Sequence, residues 1–329
     1  MKRRQFVAAL GSVAASCVVG PRAAFAQPSV VRRQARVGIL NYFDARYSRV
    51  TELAESLREL GYVEGQNLLT IHRWADGQLN RLPPLATELV ASKIDVMIAL
   101  GPATWAAKQS TSSIPIVTTF SGDPIGMGLV SNLARPGGNL TGFLYMSTDL
   151  AAKRLELMQE FDPKPANYAA LYNPGEPSTK FEMEQTAAGA QAIGVKLMRL
   201  AATQPSELDQ LFGLAAQERA GGVIIFTHGF AEFYRNNIIE AAARHRMPAI
   251  YGWRDFVIEG GLMSYGPNIQ LLVRTAASYV DRILRGEKPG DLPMQQPARL
   301  ELVINLKTSR ALGIEFPQTF LARADEVIE

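Results

Sequence analysis

The sequence predicts an α/β protein of two doubly wound αβα lobes. Three observations carry this. Short apolar, β-rich runs alternate with helical patterns almost throughout, the mark of a parallel sheet covered on both faces. The 329 residues amount to roughly two ordinary domains. Between two consecutive βα series of similar size the rhythm breaks at Arg135-Pro136-Gly137-Gly138-Asn139.

In the first series the opening strand is Arg36–Phe43. A helix over Tyr47–Leu60 follows, with Val50, Leu53, Leu57 and Leu60 on one stripe and Gly61 ending it. Then come a strand at Asn67–Trp74, a helix at Leu82–Ser92, a strand at Ile94–Leu100, a helix at Thr104–Gln109 and a strand at Ile114–Phe120. After the break, an extended run at Leu140–Met146 leads into the second series. Its strands are expected at Tyr168–Tyr172, Val195–Leu200, Gly222–Phe226 and Pro248–Tyr251. Its helices are expected at Leu150–Phe161, Ser178–Ile193, Pro205–Arg219 and Asn236–His245, the third capped by Ser206 with Asp209 three residues on. The remainder offers a helix at Ile269–Leu284, a strand at Leu300–Asn305 and a helix at Lys307–Leu312. These pieces most economically add one layer to each lobe, so the chain must pass between the lobes several times. The expected division is 27–143 plus 263–293 for the first lobe and 144–262 plus 294–329 for the second.

Residues 1–26 read as an export signal. Lys2, Arg3 and Arg4 precede an apolar stretch from Phe6 to Val19, and Ala24-Phe25-Ala26 closes on a small-x-small cleavage pattern. The apolar run is shorter than the ~20 residues a membrane span needs. Arg3-Arg4-x-Phe6-Val7 is also compatible with a twin-arginine signal. Cleavage after Ala26 takes four of the 34 basic residues and no acid, leaving 30 against 31, a formal charge of −1 in place of +3. The lone Cys17 leaves with it; the residues before it lack the usual Leu of a lipidation site. A cysteine-free mature chain suits an oxidising compartment and excludes thiol catalysis, Cys-ligated zinc and iron–sulfur clusters.

In open α/β sheets ligands bind beyond the carboxyl ends of the strands. In the first lobe those ends carry Asn41-Tyr42-Phe43, Gly101-Pro102-Ala103-Thr104 and Ser121-Gly122-Asp123-Pro124. In the second they carry Tyr172-Asn173-Pro174, Thr227-His228-Gly229 and Tyr251-Gly252-Trp253. Ser264-Tyr265-Gly266 falls where the chain would return to the first lobe. Small hydrogen-bonding groups thus recur beside aromatic rings, the lining of a cleft that sandwiches a small organic ligand. Thr104 either caps its short helix or shares that helix's free amides with a ligand anion. Ser121 would donate to such an anion and Asp123 accept from an amine or hydroxyl, unless the segment is only a turn. Tyr42, Tyr172, Trp253 and Tyr265 either stack on the ligand or pack the lobes together. Asn41, Asn173, Thr227 and His228 complete the candidate ligand-binding set.

Catalytic signals are scarce. His72, His228 and His245 show no metal-ligand spacing, and a Ser121–His228–Asp123 triad has no Gly-x-Ser-x-Gly elbow to support it. No phosphate-binding glycine loop is present, so no cofactor, metal site or catalytic residue is expected. No helix-turn-helix module or basic stripe precedes the first lobe, which removes nucleic acid as a partner.

Strings spread along the whole chain carry a family resemblance. They are Arg-Arg-Gln-Phe at 3–6, Gly-Tyr-Val-Glu-Gly-Gln-Asn at 61–67, Arg-Trp-Ala-Asp-Gly at 73–77, Ser-Thr-Ser-Ser-Ile-Pro-Ile-Val at 110–117 and Gly-Asp-Pro at 122–124. Arg-Pro-Gly-Gly-Asn-Leu-Thr-Gly at 135–142, Gly-Gly-Leu-Met-Ser-Tyr-Gly at 260–266, Gly-Glu-Lys-Pro at 286–289 and Glu-Leu-Val-Ile-Asn-Leu-Lys-Thr at 301–308 follow in order. With these the chain resembles the ABC-transporter substrate-binding proteins of the tryptophan/tyrosine-binding type. The resemblance implies a type I periplasmic-binding-protein fold with three crossovers between the lobes. It also implies capture of a small-molecule ligand by hinge closure and delivery to an ABC permease in the inner membrane, driven by a separate ATPase. It implies a periplasmic protein without catalysis, and the expected form is a monomer. A ligand sensor for a membrane receptor and an exported α/β hydrolase are the alternatives. An amino acid needs an acid for its ammonium group, and Thr227-His228-Gly229 offers none. An aromatic or other small carboxylate therefore fits these residues at least as well.

Overall fold

In the computed structural model, which describes residues 34–45 and 49–329, the strand runs form two separate sheets. The expected export signal at 1–26, Cys17 included, lies outside the described residues. The first lobe runs β1 (Ala35–Asn41), α1 (Val50–Glu59), β2 (Leu68–Trp74), α2 (Leu82–Ala91), β3 (Val96–Leu100), α3 (Ala103–Ser110), β4 (Ile116–Phe120) and β5 (Leu140–Leu144). Its sheet is wholly parallel, in the order β2-β1-β3-β4-β5. Every residue of β3, β4 and β5 is buried, which is why these strands read as continuous apolar runs and not as alternation.

The second lobe begins with α4 (Ser147–Phe161), β6 (Asn167–Tyr172), α5 (Ser178–Ala192), β7 (Lys196–Ala201), α6 (Leu208–Gln217) and β8 (Val223–Ile225). It continues with α7 (Gly229–Phe233), α8 (Arg235–Arg244), β9 (Ala249–Tyr251), α9 (Arg254–Ile258) and β10 (Met263–Pro267). Helix α10 (Ile269–Leu284) returns to the first lobe and packs on α1, β4 and β5. Its buried stripe of Leu272, Val273, Ala276, Val280 and Ile283 faces that sheet, and Asn268 caps it by accepting from the Leu271 amide. The chain then crosses back for β11 (Leu300–Asn305), α11 (Leu306–Leu312), α12 (Gln318–Leu321) and β12 (Glu326–Ile328). The larger sheet is ordered β12-β11-β10-β9-β8-β6-β7 and is parallel except for β10 against β11. The lobes are therefore joined three times: after β5, after β10 and before β11. This is the architecture of a type I periplasmic binding protein.

Two expectations are corrected. The return to the first lobe was placed at residue 263, yet Met263–Pro267 is a strand inside the larger sheet, and the crossing comes at Asn268. Met-Ser-Tyr-Gly-Pro carries no apolar run, because the strand sits under a close backbone approach at Gly266. The capping pattern assigned to Ser206 and Asp209 is made instead by Gln204 and Glu207. Pro205, with its fixed φ, opens a tight first turn at 205–207, so the cap falls one residue before it.

Candidate functional site

The carboxyl ends of both sheets face one narrow cleft, with a cavity of about 40 Å³ between its walls. Its walls are mostly apolar: Phe43, Leu100, Trp105, Phe120 and Met127 from the first lobe, Pro177 and Trp253 from the second. Tyr145, on the first crossover, closes the back. Its ring stands edge-on to Trp253 at 5.7 Å, and its hydroxyl donates to Thr119 Oγ1 at 2.7 Å. Burial raises the Tyr145 hydroxyl well above its ordinary pKa, so it remains a donor.

Of the eleven residues expected at the site, the structure brings Ser121, His228 and Trp253 together in the cleft lining. The other eight lie behind it or beside it. Tyr42 is buried against Phe43 and Phe233, so it packs the lobes together. Asn41 lies fully buried beneath it with both side-chain polar atoms unpartnered. Thr104 spends its hydroxyl on the Gly101 carbonyl at 2.8 Å and on Thr118, and it neither caps α3 nor faces the cleft. Asp123 only makes a turn, accepting from the Ile125 amide at 2.9 Å. Asn173 makes a similar turn with the Gly175 amide, while Tyr172 packs on Phe226 beside a neighbouring surface groove. Thr227 donates its amide to Glu182 behind the wall, and Tyr265 gives its carbonyl to Arg154. Thr104, Asp123 and Asn173 lie past the strand ends, in a helix or a turn whose own hydrogen bonds take up their polar groups.

Sequence reasoning missed the charged members. Glu176, in the loop after β6, accepts from the Gly229 amide at 3.0 Å and the Phe230 amide at 2.8 Å, and lies 3.2 Å from His228 Nδ1. The acid partner of His228 is thus Glu176 and not Asp123, which dissolves the paper triad. The Ala231 amide also donates to Nδ1 at 3.3 Å, while Nε2 is buried without a protein partner. Trp253 Nε1 is likewise buried and unpartnered. Arg49, just before α1, reaches across from the first lobe to Glu232 of α7 at 3.3 Å and to Asp255 of α9. Burial raises the Glu232 carboxyl above the usual carboxylate range, against the pull of Arg49. An acid four residues past a strand end is the signal that could have found Glu176 and Asp255, after Tyr172 and Tyr251; Arg49 and Glu232 lie farther from β1 and β8 and left no such signal. Among the described residues no group of three or more His, Cys, Asp and Glu is placed to hold a metal, and no helix is long and apolar enough to cross a membrane.

The fold and this two-lobed cleft have relatives. A curated tyrosine-binding protein from Clostridioides difficile (strain R20291) is 26% identical over 266 residues, 79% of this chain and 75% of the relative. A conserved domain protein from Vibrio cholerae superposes with a TM-score of 0.83 at 28% identity, covering 90% of this chain and all of that one. An ABC domain in complex with L-Trp from Streptococcus pneumonia gives 0.78 at 23% identity, over 89% of this chain and all of that one. The model of the ABC transporter substrate binding protein family matches residues 37–328, and that family comprises binding proteins, not enzymes. By that match the chain belongs to the ABC transporter substrate-binding proteins.

Proposed function

We propose that the protein is the exported, solute-capturing component of an ABC importer, and that its ligand is an aromatic amino acid clamped between the lobes. The observation that carries this is the pair of unpartnered nitrogens, Trp253 Nε1 and His228 Nε2, on two buried residues that line a mostly apolar cleft. An unpaired buried donor costs about 1–3 kcal/mol, a cost that a ligand acceptor such as a carboxylate relieves. Trp105, Phe43 and Trp253 offer ring faces for an aromatic side chain. Thr227-His228-Gly229 offers no acid for an ammonium group. Glu232 lifts that objection, since it lines the cleft and is held by Arg49 only at 3.3–3.4 Å. Its carboxylate suits an ammonium group. The relative named for tyrosine binding points the same way.

Calorimetric titration checks this, using L-tyrosine, L-tryptophan and L-phenylalanine beside their decarboxylated and deaminated counterparts. At least one amino acid should bind at micromolar Kd or tighter. Each truncated analogue should lose about 10- to 100-fold, the worth of one charged hydrogen bond. If none of the three amino acids binds, the reading is wrong. If a deaminated acid binds as well as its parent, the ligand is a simple carboxylate.

A further inference from the structure

Beneath the second-lobe wall lies a fully buried ion pair with no part in the cleft lining. Arg154 of α4, fully enclosed, places Nη1 2.9 Å from Glu182 Oε1 of α5 and donates through Nε to the Tyr265 carbonyl of β10, also at 2.9 Å. Glu182 in turn accepts the Thr227 amide through both oxygens, at 3.1 and 3.3 Å. Thr227 immediately precedes His228, and β10 lies beside β9, whose end carries Gly252 and Trp253. Two glycines admit the guanidinium to this position. A Cβ on Gly252 would meet Thr227 Oγ1 at 2.3 Å and Arg154 Nη2 at 3.2 Å, and one on Gly266 would meet the Gly252 carbonyl oxygen at 2.0 Å. Nη2 and Thr227 Oγ1 are themselves buried and unpartnered, so the network is not tuned for maximal pairing.

Such a pair is a poor source of stability, because desolvating two charges offsets most of their attraction. What its contacts do have in common is their targets. The Thr227 amide and the Tyr265 carbonyl are backbone groups of the segments that carry or flank His228 and Trp253. We propose that the Arg154–Glu182 pair is a positioning device for ligand binding: it fixes where His228 and Trp253 stand in the cleft. A second observation agrees. Burial raises the Glu182 carboxyl to about 7, against the pull of Arg154, His228 and the Thr227 amide, while burial lowers Arg154. The charged and titratable groups facing the pair are these two, His228 from the β8–α7 tip and Tyr265 from β10. The wall should therefore shift as Glu182 titrates near neutral pH.

The test removes both charges together, since removing one strands the other. In the double variant R154M/E182Q, Met replaces the apolar stem of Arg154 and the Gln oxygen still accepts from Thr227. The variant should melt within a few degrees of the native protein, yet bind L-tyrosine about ten-fold or more weakly. Affinity unchanged in the double variant overturns the proposal. A ligand-free readout uses W74F/W105F, which leaves Trp253 as the single indole. Its emission should change between pH 6 and 8 and become flat when R154M/E182Q is added. The same transition persisting in that combination would overturn the proposal, as would no transition at all without it. The affinity arm rests on the amino-acid reading and the emission arm does not. A native protein that binds no amino acid but shows the transition would thus sink the ligand and spare the positioning role.

Discussion

Glu176 both lines the cleft and holds up its wall. Helix α7 has five residues, too few to stabilise itself, and its first amides point at the Glu176 carboxylate. Replacing Glu176 by Ala strands the Gly229 and Phe230 amides in a buried setting. The expected cost is about 2–4 kcal/mol, read as a lower urea midpoint at constant slope, and Glu176→Gln should cost about half as much because one acceptor oxygen remains. Glu182 gives a second prediction at this scale. Folding raises its carboxyl from the usual value to about 7, so the folded state holds its proton more tightly. Its contribution is full below pH ~4.5 and is lost as pH rises through about 7. The surface acids Asp209, Asp325 and Glu326 act oppositely and lower down, since their partners Arg244, Arg299 and Arg254 hold them below the carboxylate range. Melting temperatures should therefore decline from pH 5 to 8 in the native protein and level off in R154M/E182Q; parallel declines would contradict this. Neither glutamate was legible in the sequence. Ser121, His228 and Trp253 line the cleft as strand-end residues, whereas Glu176 reaches it from a loop and Glu182 stands behind its wall on a helix, both placed by tertiary packing.

At the scale of elements, legibility followed period and length. Helix α10 spans Ile269–Leu284 as expected because a sixteen-residue amphipathic stripe leaves little choice. Helices α7 and α9 have five residues each and β12 has three, too short for any period to show. Strand β10 was missed for a more instructive reason. Its middle alternates Ser264, Tyr265 and Gly266, and the glycine is required by the backbone of the neighbouring tip, where a Cβ would stand 2.0 Å from the Gly252 oxygen. A strand built for close approach does not look apolar. Gly266→Ala should force β10 from the Gly252 tip, costing about 1–3 kcal/mol and weakening ligand binding at the same time. A surface alanine such as Gly286→Ala has no neighbour within 4 Å, but its φ of 103° adds strain of its own, so the better control is Lys288→Ala. An unchanged melting temperature in Gly266→Ala would refute the steric reading.

Across the whole molecule, the alternation of runs made two sheets legible, because parallel sheets write themselves as repeated βα units, whereas the break at Arg135–Asn139 falls inside the first lobe, ahead of β5. Side chains that meet only across the cleft left no such trace. Arg49 sits before α1, while Glu232 and Asp255 lie about 180 and 200 residues further on, and the three join only when the lobes come together. All are mostly sheltered, the Arg49 side chain exposing 14% of its surface and Glu232 8%, so solvent screens them less than an ordinary surface pair. Two acids of the second lobe share one guanidinium from the first, and without it this charged contact between the lobes is lost. The closed form should therefore depend on Arg49. Arg49→Met should raise the ligand dissociation rate about ten-fold while changing the association rate little, since the cluster forms after encounter. Raising salt from 0.05 to 0.5 M should quicken dissociation from the native protein and leave the variant nearly indifferent, the difference marking a charge effect and not lost packing. Stopped-flow measurement of both rates decides it: equal dissociation from native protein and variant at low salt would mean that apolar contacts alone hold the lobes shut.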